Sequence, residues 1–300
     1  MLTVARTTRT MLHLLAIVMA ATALCGASPQ SMVCGTIVGD RWIHLVSRGE
    51  TWTTIGARLG VDPRVLAARN DRSVAVALRP GDVLGIDNRH IAADYGEDGV
   101  VINLPQRMLF HFVEGAVRAH YPVAVGQPGW PTPTGAFSIV ATETNPTWDV
   151  PVSIQNEMRR AGKPVVTHVP PGPNNPLGDY WIGLSVGNIG IHGTTAPASI
   201  YSFATHGCIR LHPDDVEDLF HHVGVGEPVR VVYQPILVAF DGMNLYLEVH
   251  DDPYRRDPNP LVTALDLLQR SGLRERVDVN DVIRVVREAD GLAVPLPLRH

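Results

Sequence analysis

Apolar and polar positions change period several times along this chain. Near the N-terminal end, Trp42 to Val46 alternates like a short strand, and Arg48-Gly49-Glu50 follows as a turn. Trp52, Ile55 and Leu59 then fall on one side of a 3.6-residue period, which predicts a helix over 51–59. Asp62-Pro63 predicts a second helix, with Asp as N-cap and Pro in the first helical position, carrying Val65, Leu66 and Asn70. Leu78-Arg79-Pro80-Gly81-Asp82 turns the chain into a closing strand, Val83 to Ile86. Residues 42–87 therefore form one compact strand–helix–helix–strand unit. The next stretch, 88–98 (NRHIAADYGED), is polar and charged and reads as a linker.

From 99 to 236 the pattern is mainly β. Strands are expected at Val100–Leu104, Met108–Phe112, Val117–Val125, Ala136–Ala141, Trp181–Val186 and Val229–Tyr233, separated by Gly- and Pro-bearing turns. One helix interrupts them, Pro213 to Val223. Its residues Val216, Leu219, Phe220 and Val223 share a face, Asp214 and Asp215 suit its positive N-terminus, and Gly224 ends it. Beyond Pro235 the character shifts again. Asp241-Gly242 between Leu237–Phe240 and Leu245–Val249 signals a hairpin. Amphipathic helices near Leu261–Leu268 and Val282–Ala289 complete a small α+β appendage, 237–300, whose job the sequence does not state.

Composition changes this picture little. The chain has 300 residues, 45% hydrophobic and 18% charged, so a folded core is expected. A net charge of -5 without a basic stripe gives no reason to expect a nucleic-acid partner. The 27 Gly and 24 Pro favour short strands and many turns. Arg6 and Arg9 precede an apolar run, Met11–Leu24, and small residues follow through Gly26-Ala27, the layout of a secretory signal over 1–27. That run is short for a membrane span, so no stable span is expected after processing. Cys25 raises lipid anchoring as a minority alternative, which Leu24 opposes. If Cys25 leaves with the signal, only Cys34 and Cys208 remain; a bond between them would block any thiol chemistry.

The chemistry concentrates in Ile191–Leu211, IHGTTAPASIYSFATHGCIRL. A cysteine nucleophile needs a thiolate, a nearby base and donors for an oxyanion. Cys208 follows Gly207, which permits a tight bend beside the sulfur, and His192 and His206 are both close in sequence. Backbone N–H groups near Gly207 and Cys208 are candidate oxyanion donors. Each reading has a bland counterpart: an isolated Cys beside a Gly is usually a small buried hydrophobe. His192, His206 and Cys208 could alternatively ligate zinc, but no fourth ligand at telling spacing is present.

Two segments resemble known families. "RGETWTTIGARLGVDPRVLAARN" with "LRPGDVLGI" resembles the LysM module, a small βααβ fold that binds N-acetylglucosamine-containing glycans such as peptidoglycan. Its alternative here is a spacer that no longer binds sugar. His192-Gly193 followed by Thr205-His206-Gly207-Cys208 resembles the YkuD-type L,D-transpeptidase signature. Ile209-Arg210-Leu211, Gly129–Gly135, Asn145–Trp148 and Pro170–Gly178 resemble its Gram-negative periplasmic, ErfK/YbiS-like branch.

The resemblance spans 99–236 and implies a β-sandwich-like catalytic domain with no metal and no organic cofactor. It implies Cys208 as nucleophile, His192 as proton acceptor and donor, and the Gly193 carbonyl as the group fixing the imidazole tautomer. His206 would flank the oxyanion site or help polarise the thiol, and Thr205 and Gly207 would shape the turn. Arg210 would grip a substrate carboxylate or else brace the loop through a salt bridge. Trp130 and Trp148 are either pocket walls or core. The implied partners are peptidoglycan stem peptides and glycan strands, with a wall-attached lipoprotein as one acceptor, and the implied location is the periplasm. The alternatives are a hydrolase on the same scaffold, a catalytically silent wall-binding protein, and a general cysteine peptidase.

Overall fold

The computed structural model describes residues 35–93 and 95–299; the signal-like segment, Cys25 and Cys34 lie outside the described residues. The first unit holds β1 (Gly35–Val38), β2 (Arg41–Leu45), α1 (Trp52–Leu59), α2 (Pro63–Ala68), β3 (Val83–Asp87) and β4 (His90–Ala93). The α1 start is fixed by Thr51, whose hydroxyl accepts the Thr54 N–H while the Thr54 hydroxyl accepts the Thr51 N–H, a reciprocal cap worth about 1 kcal/mol. Asp62 and Pro63 begin α2 as their order predicts. β2 and β3 pair antiparallel, and Val46, Trp52, Ile55, Leu66, Leu84 and Ile86 form a small core behind them.

The stretch expected as a linker is different. Its residues His90–Ala93 form β4, which is fully buried and pairs with β1. The polar character of this segment misleads because its histidine is buried with partners. His90 Nδ1 lies 2.8 Å from Glu248 Oε1, and its Nε2 lies 2.8 Å from the Gly60 carbonyl. The same Glu248 oxygen accepts from Gln106 Nε2 at 2.8 Å and His250 Nε2 at 2.7 Å. Burial opposes the Glu248 charge, but the His90 charge and the hydrogen bonds from His250 and His90 outweigh it and hold the carboxyl down at about 2.

The middle unit runs β5 (Gly99–Asn103), β6 (Met108–Val113), β7 (Ala116–Pro122), β8 (Val125–Gly126), β9 (Gly135–Thr144), β10 (Trp148–Asp149), α3 (Val152–Arg160), β11 (His168–Val169), β12 (Tyr180–Leu184), β13 (Gly190–His192), β14 (Phe203–Thr205), β15 (Ile209–Arg210), α4 (Pro213–Phe220) and β16 (Pro228–Val232). It is mainly β, as the strand pattern predicts. Eight strands join one mixed sheet in the order β15-β13-β12-β9-β16-β5-β6-β7, with β13–β15 and β16–β5 parallel. Ile102, Leu109, Ile139, Ile182, Ile191, Ile209 and Leu219 pack the core beside it, each contributing roughly 1.5–3 kcal/mol of transfer free energy. α4 ends at Phe220, earlier than Val223, because the His221 N–H is shared between the Glu217 and Leu219 carbonyls and tightens the last turn. Val223 still packs on the core.

The last unit is β17 (Ile236–Phe240), β18 (Leu245–Val249), α5 (Pro260–Arg270), α6 (Val279–Glu288) and β19 (Val294–Leu296). The Asp241-Gly242 hairpin forms with Phe240 opposite Leu245, and β19 adds a third strand that the sequence pattern did not predict. Ion pairs tie the units together. Arg58 of α1 meets Asp215 of α4 at 2.6 Å, and Arg69 meets Asp290 at 2.9 Å. Among the described residues, no helix is long and apolar enough to cross a membrane.

Candidate active site

Strand alternation sorts the residues of the signature. Ile191 and Ile209 are fully buried and sit in register across the parallel β13–β15 pair, so their neighbours point to the other face. His192 is thereby beside Arg210 in register, and Cys208, just before β15, comes beside Gly190, whose N–H hydrogen-bonds the sulfur. The Cys208 thiol also lies 3.6 Å from the Asn188 carbonyl oxygen. The cysteine is free and half-buried.

His192 is held from several sides. Its Nδ1 lies 2.7 Å from the Gly193 carbonyl oxygen; a carbonyl only accepts, so the proton sits on Nδ1. Trp181, its register partner on β12, stacks against the imidazole with ring centroids 5.8 Å apart. That position needs Gly190: a Cβ there would approach the Trp181 ring to 2.5 Å. Burial, and then the Arg210 charge, push the His192 pKa down to about 4. Burial likewise raises the Cys208 thiol above its ordinary range, opposed by the Gly190 N–H and Arg210. Thiol and imidazole are both neutral at pH 7.

The turn before Cys208 is built from hydroxyls. Thr205 Oγ1 donates to the Cys208 carbonyl at 2.6 Å and accepts the Gly207 N–H at 3.1 Å. Gly207 adopts φ +111°, a left-handed conformation that favours glycine. Its N–H is spent on Thr205, which leaves the Cys208 N–H as the available donor of the two expected near the sulfur. Thr132 Oγ1 donates to the Gly207 carbonyl at 2.8 Å. Tyr254 supports this layer from the C-terminal unit, its hydroxyl donating to the Gly126 carbonyl at 2.6 Å and accepting the Thr132 N–H at 3.3 Å.

His206 points elsewhere. Its Nε2 lies 2.9 Å from Glu157 Oε2 on α3, and Trp130 packs against its ring at 5.5 Å. Trp130 is therefore a partly exposed wall beside the turn. Trp148 sits on β10 opposite Val169, and among the described residues no ring contact joins it to His192 or His206. Arg210 is half-buried, with Nε shielded and without a hydrogen-bond partner, and no ion pair holds it among the described residues. The salt-bridge alternative for Arg210 thus finds no partner there.

Sequence reasoning missed Trp181, Glu157, Thr132 and Tyr254. Glu157 and Tyr254 are distant in sequence and carry no local signal, whereas Trp181 opens an expected strand shortly before His192 and Thr132 lies within the Gly129–Gly135 segment, both readable hints. Among the described residues, those whose ligand atoms gather within metal-binding distance are not His192, His206 and Cys208 but His90, Glu248 and His250, whose atoms lie within 4.8 Å of one another. The hydrogen bonds among those three already join these atoms to one another.

A family model for the L,D-transpeptidase catalytic domain, YkuD, matches residues 97–231. Among curated relatives from Escherichia coli K12, the chain is 35% identical to the probable L,D-transpeptidase YbiS over 61% of this chain and 58% of that one. It is 29% identical to the probable L,D-transpeptidase ErfK/SrfK, covering 73% of each chain. With the probable L,D-transpeptidase YcfS it shares 30% identity over 78% of this chain and 77% of the relative. The match thus spans less than two thirds of the first of these and about three quarters of the others. On this evidence, and with His192 on β13 and Cys208 directly before the neighbouring β15, the chain belongs to the YkuD family of L,D-transpeptidases.

Proposed function

We propose that this protein is a peptidoglycan L,D-transpeptidase that remodels or cross-links cell wall. The observation that carries the reading is the pairing of β13 with β15. It sets Cys208 and His192 on one face, with the His192 proton on Nδ1 and Nε2 therefore the unprotonated nitrogen. Cys208 Sγ attacks the carbonyl of the third, diamino-acid residue of a tetrapeptide stem as its proton passes to His192 Nε2. The C–N bond breaks, His192 returns the proton to the leaving amine, and terminal D-alanine departs. An amine then attacks the thioester, gives its proton to His192 and regenerates the thiol. The Cys208 N–H stabilises the oxyanion, and the Gly193 carbonyl stabilises the imidazolium formed in each step.

Arg210 suits a substrate carboxylate, since a half-buried guanidinium without a partner favours binding one. Trp130 and His206 form one wall of the approach, with Thr205 and Gly207 shaping the turn. The βααβ unit at 42–87 acts as a LysM-like glycan-binding module, and 237–300 buttresses the catalytic turn through Tyr254. The basic-then-apolar leader supports export to the periplasm. Stem peptides and glycan strands are the partners, and a lipoprotein lysine is one amine acceptor.

Product analysis tests this. Purified protein with tetrapeptide muropeptides should yield links between third-position residues, or D-alanine exchange, both lost in Cys208→Ala and His192→Ala. Shortened stems alone would indicate a hydrolase on this scaffold. Absence of turnover by reduced, folded protein would favour a silent wall-binding protein.

A further inference from the structure

A cavity of about 360 Å³ opens where the three units meet; its walls include Thr53 from the first unit, Arg107 and Ser202 from the middle and Asp251 from the last. That volume falls in the range of small-molecule sites, roughly 300–1,000 Å³. Arg107 and Tyr201 line it side by side, and both hold left-handed backbone, φ 53° and 60°, though neither is glycine. Such strain gathers at functional sites, where the surroundings must over-determine it.

The polar atoms here are equally unusual. Arg107 Nε and the Tyr201 hydroxyl are buried without hydrogen-bond partners. The guanidinium rests 4.2 Å from the Tyr201 ring centre and 5.2 Å from that of Phe203, and no ion pair holds it among the described residues. Arg64, by contrast, is bonded to Asp62. The wall therefore presents the Arg107 cation without an ion pair, the Asp62–Arg64 pair, an exposed carboxylate at Asp251, hydroxyls from Thr53 and Ser202, and apolar surface from Ala57 and Ile200. Two carboxylates would repel a multiply charged anion, whereas a molecule with one carboxylate and one ammonium meets a partner at each end.

We propose that this junction cavity binds a small α-amino-acid zwitterion, its carboxylate on Arg107 and its ammonium at Asp251. The site is separate from Cys208 and does not depend on the reaction assigned there. Phe203, which backs Arg107, begins β14, and the same strand ends at Thr205 under the Cys208 turn.

Calorimetric titration of the full chain carrying Cys208→Ala, with D-alanine and glycine as probes, tests the proposal. Saturable binding is expected, weakened roughly tenfold or more by Arg107→Gln and separately by Asp251→Asn, as loss of one charge-assisted contact implies. Acetate and methylamine, each with one pole, should bind at least tenfold more weakly than glycine. No saturable binding of either amino acid would overturn the proposal, as would affinities unchanged by Arg107→Gln and Asp251→Asn. Acetate binding as well as glycine would overturn the zwitterion assignment. If Arg107→Gln fails to fold, the exposed Asp251→Asn decides.

Discussion

Two histidine clusters in this protein use similar side chains to opposite ends. In the His90–Glu248–His250 cluster the Glu248 carboxylate is fully occupied: Oε1 accepts from His90, His250 and Gln106, and Oε2 accepts the Ile91 N–H. At the catalytic turn only His192 is as deeply buried, Cys208 and Arg210 are half-buried, and side-chain partners are withheld. His192 keeps Nε2 unprotonated, Arg210 has no counter-ion among the described residues, and the Cys208 sulfur has only backbone neighbours among its bonds. A buried network built on a fully bonded carboxylate fixes three units in place, with His250 Nδ1 left unpartnered, whereas the catalytic turn leaves room for a reacting molecule to complete it.

The sharpest way to break the comparison is to remove one member from each side. Cys208→Ala should abolish turnover, a loss on the order of 10³-fold or more, while the urea midpoint barely moves. Glu248→Ala should do the reverse in kind. It strands the buried His90, so stability should fall by about 3–5 kcal/mol in urea titration, with activity per folded molecule changed far less. A Cys208→Ala protein that unfolded, or a Glu248→Ala protein of unchanged midpoint, would dissolve the distinction.

The pH behaviour separates the clusters next. Because the folded His192 pKa is held near 4, the base stays neutral through the range where an ordinary histidine titrates. The acid limb of kcat/KM should therefore lie near 4, not near 6.5. Arg210→Gln removes one of the causes and should move that limb upward while raising KM for carboxylate-bearing stems. Stability carries the same sign. A depressed histidine pKa contributes above about 6.5 and loses that contribution as pH falls through about 4, whereas Glu248 contributes above 4.5 and fails only as pH falls through about 2.

Smaller effects are expected at the supports. Tyr254→Phe deletes the hydrogen bonds to the Gly126 carbonyl and from the Thr132 N–H. It should cost about 1 kcal/mol and lower kcat several-fold without altering KM. Glu157→Gln, at a part-buried contact with His206, should change stability by less than about 1 kcal/mol.

What the sequence disclosed follows from how local each signal is. The α1 helix, Asp62-Pro63 and the Asp241-Gly242 hairpin were legible because each is decided within a few neighbouring residues. β13 and β15, which carry His192 and Arg210, span three and two residues, too short for alternation to register. α3 escaped for another reason: it buries no residue, so no apolar stripe marks it against a core. His90 looked like linker because its partner, Glu248, is 158 residues away. Cys208, His192, Gly193 and Thr205 were legible through the signature they form; Trp181 and Tyr254 were not, since strand register and inter-unit docking brought them there.

The most direct test is the intact mass of the protein, acid-quenched after mixing with a tetrapeptide muropeptide in the absence of added amine. The account predicts a mass increase equal to the muropeptide less D-alanine, mapped to the peptide containing Cys208 and absent in Cys208→Ala. Turnover of the muropeptide by Cys208→Ala at the wild-type rate, or an adduct on another residue, would contradict it.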